Sequence, residues 1–102
     1  MPEEKTFLLV NAIPNMEEKE SFQLYLSKIV PIFLSHGAEN MQRFKTIEQV
    51  MGNGEIKASA VFEFPSAEAI KGMIASEEFN ALNELRKKAY VQDVDLMICQ
   101  SL

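Results

Sequence analysis

The alternation from Ile56 to Phe64, followed at once by Pro65-Ser66, constrains this chain more than anything else in it. Side chains along a strand point to opposite faces in turn, so Ile56, Ala58, Ala60, Phe62 and Phe64 share one face and Lys57, Ser59, Val61 and Glu63 the other. Such a pattern requires a sheet with one face on a core and one facing something wetter. Downstream, Ser66 is placed to cap a helix whose buried side is Ile70, Met73 and Ile74. Ala75-Ser76 then parts that helix from a third one, capped by Ser76, with Phe79, Leu82 and Leu85 facing inward and Glu84 to Lys88 as an exposed supporting pair.

The remaining elements follow in order. Thr6 to Ala12 is a short, mostly apolar run ahead of Ile13-Pro14-Asn15, and reads as a buried central strand. Asn15 with Glu18 has the capping-box spacing. Phe22, Leu26, Ile29 and Phe33 recur at helical spacing with Tyr25 beside them. Glu17, Glu18 and Glu20 sit at the positive end of that helix dipole. Pro31 predicts a kink within it, and His36-Gly37 a glycine-terminated end. Glu39 to Met51 reads as a long, partly exposed strand, Gly52-Asn53-Gly54 as a hairpin turn, and Val91 to Gln100 as a final strand with Val94, Leu96 and Ile98 on one face.

The order is β-α-β-β-α-α-β, which is the α+β, ferredoxin-like plan: a four-stranded antiparallel sheet with helices on one face. Its other face is left open and partly apolar, and needs cover. Two sheets closing face to face supply it, so the sequence predicts a homodimer of single domains spanning 1–102. A net charge of −5 without a long basic run disfavours nucleic acid and anionic membranes. The lone Cys99 makes no internal disulfide, and the acidic MPEEKTFLLV start is too short in its apolar run for a signal peptide or spanning helix. A cytoplasmic location is the expectation.

Certain motifs resemble a known family. Glu63-Phe64-Pro65-Ser66, then Ser76-Glu77-Glu78-Phe79-Asn80-Ala81-Leu82 and Arg86, is similar to the signature of the domain-of-unknown-function family numbered 1330, within the dimeric α+β barrel superfamily. Ser21 to Tyr25 resembles that family's helix start, Pro31 to Ala38 its helix end, and Arg43 falls where it often has an arginine on the second strand. The chain departs from the pattern at His36, where tyrosine is common, at Ala38 (a second glycine) and at Glu39 (arginine). The resemblance implies a dimeric barrel and leaves activity open. Relatives in the superfamily include cofactor-free monooxygenases, isomerases and non-catalytic binding proteins.

The candidate site residues follow from chemistry. A strict two-residue Asn53-Gly54 turn would set Arg43 on the face of Phe62 and Phe64, whereas a three-residue loop of Gly52, Asn53 and Gly54 sets Arg43 across from Glu63 and Phe44 across from Phe62; the second register is preferred because it pairs charge with charge and ring with ring. That pair, on the open face, is either an anchor for a carboxylate or polarised carbonyl or an ion pair closing the dimer barrel. His36, the single histidine, is a general-base nominee or a helix cap; Glu63 is the other nominee. Asn11 could orient a carbonyl or close a strand-end turn. Tyr25 and Tyr90 bring hydroxyls to apolar surroundings, and Arg86 either covers a cavity mouth or pairs with a surface acid. Cys99 reads as a packed thiol. Neither a metal site, which a lone histidine cannot build, nor a cofactor is expected. The leading expectation is a cofactor-free, non-catalytic homodimer that binds a small apolar molecule with one polar end. A cofactor-independent monooxygenase or isomerase, and a purely dimerising module, are the alternatives.

Overall fold

The computed structural model describes residues 5–53 and 55–102. Its elements are β1 (Thr6–Ala12), a 3-10 turn (Met16–Glu18), α1 (Lys19–Ser35), β2 (Glu39–Lys45), β3 (Ala58–Phe64), α2 (Ala67–Ile74), α3 (Glu77–Asn80), α4 (Asn83–Ala89) and β4 (Asp95–Gln100). The sheet runs β2-β3-β1-β4 with every neighbouring pair antiparallel. The two apolar runs, β1 and β3, take the centre, and the more polar β2 and β4 take the edges. This is the ferredoxin-like α+β arrangement. Among the described residues, no helix is long and apolar enough to cross a membrane.

Register turns the sequence alternation into rows across the sheet. Phe62, Leu8 and Ile98 form one row on the helix side, and Ala60, Val10 and Leu96 the next. On the opposite side Glu63, Phe7 and Cys99 align, then Val61, Leu9 and Met97, then Ser59, Asn11 and Asp95. The helix side is the core: Leu8, Ile70 and Met73 are completely buried, with Tyr25, Ile29, Phe33, Phe62, Phe64, Phe79 and Tyr90 around them. Each completely buried aliphatic or thioether side chain contributes about 1.5–3 kcal/mol relative to exposure.

Local signals place the helices. Ser66 Oγ accepts from Ala69 N–H and Ser76 Oγ from Phe79 N–H, so both serine caps form as the sequence predicts. Gly37 ends α1 at φ +97°, a conformation that costs an L side chain its Cβ clearance, and a Cβ there would meet Pro65 Cδ at 2.9 Å. The glycine therefore lets the α1 end lie against the β3–α2 corner.

Several sequence expectations are corrected. The strand predicted over 39–51 ends at Lys45 and β3 begins at Ala58, with only the Thr46 N–H bond to the Lys57 carbonyl, at 3.0 Å, continuing the pairing beyond them among the described residues. The predicted turn includes Gly54, which lies outside the described residues. Ile47, Val50 and Met51 are exposed there. With nothing to bury, extending the ladder through them would gain little. The capping box does not close: Asn15 Oδ1 accepts from Glu17 N–H, but the Asn15 N–H is taken by the Ala89 carbonyl at 2.9 Å, leaving Glu18 to accept from Ser21. Pro31, exposed, lies inside α1 as the sequence places it, and the helix continues across it to Ser35. The third predicted helix is two, α3 and α4, parted at Ala81-Leu82, and Glu84 pairs with Lys87 at 3.5 Å instead of Lys88. The last strand starts at Asp95 rather than Val91, because Val91 N–H is held by the Ile13 carbonyl at 2.9 Å.

Gly37→Ala is expected to lower unfolding free energy by about 1–3 kcal/mol. Gly72→Ala, in α2 with open space around the missing Cβ, is expected to raise it by about 0.5–1 kcal/mol. Urea unfolding of the two variants beside the wild type checks both signs.

Candidate functional site

Small residues on β3 leave a gap between the sheet and α1. Arg43 lies opposite Ala60, so Arg43, Ala60, Val10 and Leu96 form one continuous row on the helix side. Ala60 cannot fill the space that Phe62 fills one row away. The result is a cleft of about 60 Å³, floored by Val10, Ala60, Phe62 and Leu96 and roofed by Tyr25, Leu26, Ile29, Val30 and Phe33 of α1, with Phe79, Tyr90 and Val94 closing the side and Arg43 at the rim. This is well below the ~300 Å³ typical of a drug-sized pocket, and matches a fragment or one end of a longer molecule.

The tyrosine wall is fixed by the backbone. Pro14 bridges to Tyr90, while Ile13 and Asn15 bond to Val91 and Ala89 on either side of it. Tyr90 is thereby held edge-on to both Phe22 and Tyr25, with centroids 5.6 Å apart in each pair, a geometry that aromatic quadrupoles favour. Arg86 does not line the cleft. Its guanidinium stands over the Phe79 ring at 5.1 Å, Nη2 donates to Asn83 Oδ1 at 2.6 Å, and Nη1 is buried without a hydrogen-bond partner among the described residues. It packs over Phe79 of the wall, a cation–π support rather than a surface ion pair.

The predicted Arg43–Glu63 pair is overturned. The observed register is three residues from the predicted one, and an odd shift moves every β2 side chain to the other face. Arg43 therefore goes to the helix side, and Phe44, opposite Ser59 instead of Phe62, goes to the open face, 54% exposed. Glu63 stays on the open face, where it accepts from Asn40 Nδ2 and lies 3.3 Å from Lys5 Nζ. Asn40 reaches it because the β2 strand bulges between Glu39 and Gln42, with Asn40 at φ +48°, a left-handed conformation that asparagine tolerates. Arg43 has no ion-pair or hydrogen-bond partner among the described residues.

The other nominees also lie off the cleft. His36 Nε2 is 2.9 Å from Glu78 Oε1, joining the end of α1 to α3. Asn11 Oδ1 accepts from Ser59 Oγ at 2.8 Å on the open face. Sequence reasoning missed Val10, Ala60, Val94 and Leu96 as lining residues and Asn40 and Lys5 as the partners of Glu63. The alternation does signal Ala60 on the face of Phe62 and Phe64, and Val94 with Leu96 on one face of the last strand, but not Val10; the bulge that delivers Asn40 has no sequence signature.

The Asn40 hydrogen bond, followed by Lys5, holds the Glu63 carboxyl below its usual range. Burial pushes both tyrosines up: Tyr25 is partly pulled back by Arg86, and Tyr90 is raised further by its neighbour Tyr25. A tyrosine whose folded pKa is raised stabilises the fold below the ordinary tyrosine value and loses that contribution as pH climbs above it. Since the chain has two tyrosines and no tryptophan, tyrosinate absorbance should stay absent past the ordinary value near 10 and then rise together with loss of the fold. Ionisation of either tyrosine in the folded protein at that ordinary value would contradict the buried wall.

Comparison with other proteins places this architecture. No curated protein matches the chain significantly. A protein of unknown function from Rhodopseudomonas palustris is similar at 18% identity over 99% of this chain and 85% of its own, with a TM-score of 0.75. A dimeric ferredoxin-like protein of unknown function from Jannaschia sp. CCS1 is similar at 7% identity over 95% of this chain and 99% of its own, TM-score 0.73. A candidate antibiotic biosynthesis monooxygenase from Bordetella bronchiseptica is similar at 11% identity over 98% of this chain and 99% of its own, TM-score 0.73. Likeness at these identities carries the fold alone. Residues 5–101 match a sequence family nearly end to end, and the chain belongs to that family, described as Domain of unknown function (DUF1330).

Proposed function

We propose that this protein is a cofactor-free homodimer that binds a small, mostly apolar molecule with one polar end, without catalysing a reaction. The observation that carries this reading is the cleft's lining: apolar and aromatic side chains with Arg43 at the rim and no carboxylate or imidazole among them. Binding needs apolar contact and one orienting polar group. Catalysis by proton transfer needs a base within reach of the substrate, and the two nominees are elsewhere, His36 paired with Glu78 and Glu63 with Lys5 and Asn40. Burial keeps the two phenols in the wall protonated, so they are poor bases near neutral pH.

Dimerisation is supported by the sheet's far face. Phe7, Leu9, Phe44, Val61 and Met97 stand there without a helix over them, and a second sheet is the economical cover. The dimeric Jannaschia relative has the same fold. The cytoplasm is the compartment this reading assigns, consistent with a single half-buried Cys99. The monooxygenase reading draws on the Bordetella relative and requires a base that the cleft lacks among the described residues.

In amide chemical-shift titrations with an apolar fragment library, binders are expected to move signals of Val10, Tyr25, Val94 and Leu96. Ala60→Val, which adds two methyl groups to the cleft floor, should abolish those shifts while leaving the folded spectrum intact; His36→Ala and Glu63→Gln should leave them unchanged. Shifts confined to other surfaces, or none, would overturn the binding reading. Sedimentation of Val61→Glu should show monomers where the wild type shows dimers.

A further inference from the structure

Resting on the binding reading above, we infer that the cleft selects a small monocarboxylate, with the Arg43 guanidinium holding the carboxylate at the rim and the apolar body lying over Ala60. Three observations carry this. Arg43 has no ion-pair or hydrogen-bond partner among the described residues, although the chain carries more acids than bases and such partners are plentiful elsewhere on its surface. It sits in the same sheet row as Ala60, Val10 and Leu96, so its charged end and the slot's apolar floor are one side-chain length apart by register. The slot holds about 60 Å³, room for a short branched or planar body and little more.

The chemistry of the cation narrows the anion. A guanidinium presents a rigid planar fork of N–H donors that matches a carboxylate bidentately, where a lysine ammonium would offer only a point charge. One such fork neutralises one charge. A phosphate dianion would remain half uncompensated beside a protein of net charge −5. Lys45, two residues along β2 and on the same face, pairs across from Ala58 and does not line the slot. A neutral amide of identical shape would keep the apolar contact and lose the charge-assisted bonds, so the preference between acid and amide isolates the role of Arg43.

The test uses 4-methylpentanoate and 4-methylpentanamide, titrated separately into the intact protein and followed by amide and arginine side-chain signals. The acid is expected to bind about tenfold or more tightly than the amide, and to shift the Arg43 Nε–H signal. Arg43→Gln should weaken the acid about tenfold or more, to near the amide's affinity, and weaken the amide far less. Equal affinity of acid and amide for the wild type, or equal weakening of both by Arg43→Gln, would overturn the carboxylate assignment while the cleft stands as a binding site. Failure of both compounds to shift any cleft signal would overturn the assignment together with the binding reading on which it rests.

Discussion

Phe33 meets Phe62 edge-on, ring centroids 4.6 Å apart, and Phe64 at 6.2 Å; this contact fixes α1 to the central sheet. Everything else in the helix layer is positioned from it. With Phe33 set over β3, the helical repeat carries Ile29 and Tyr25 along the sheet toward the shorter side chains of Ala60 and Ala58. The helix stays at the height that the phenylalanines impose, while the sheet surface beneath it drops. A cleft between a large-residue row and a small-residue row is the geometric consequence of close packing that cannot follow so abrupt a change.

The same sheet serves two unlike surroundings. Its helix side is closed by aromatic and aliphatic packing, and its far side carries Phe7, Leu9, Val61 and Met97 in rows beside a polar strip of Asn11, Ser59, Glu63 and Asp95. Asn11 and Ser59 satisfy each other, and Glu63 is held by Asn40 and Lys5. Three of the four polar residues of that strip, Asn11, Ser59 and Glu63, are thus matched within the chain, and beside them the far face presents apolar area outward. On the helix side the balance is reversed: the apolar area is matched within the chain and the cation Arg43 is presented outward. A surface that offers apolar area suits another sheet, and one that offers a single charge beside an apolar slot suits a small amphiphilic molecule.

Much of this was legible in the residues. The alternation of Ile56 to Phe64, the serine caps at Ser66 and Ser76 and the glycine at Gly37 each act over a few neighbouring residues, and each has a local physical cause that tertiary packing has no reason to override. The face assignments within β3 and β4 followed from period two alone, while the mostly apolar run of β1 showed a central strand without showing its faces. The site was less legible. Opposite charges on adjacent strands attract, which makes Arg43 and Glu63 partners in the sequence, yet the attraction between two surface side chains is about 0–1 kcal/mol, far too small to choose a strand register. The register that forms instead sets Arg43 opposite Ala60 behind the bulge between Glu39 and Gln42, and leaves every β2 residue exposed.

The amino-acid sequence by itself determined the order of strands and helical segments and which face of β3 meets the core, since those properties depend on periodicity and on caps that span a turn or less. Tertiary structure decided how β2 aligns with β3, where the bulge at Asn40 falls, and that Asn15 spends its N–H on Ala89 rather than on its own helix. These depend on groups far apart in the chain that compete for one another. An odd shift in one edge strand reverses every side chain on it, so the position of Arg43, and with it the character of the cleft, was fixed only when the whole sheet was assembled.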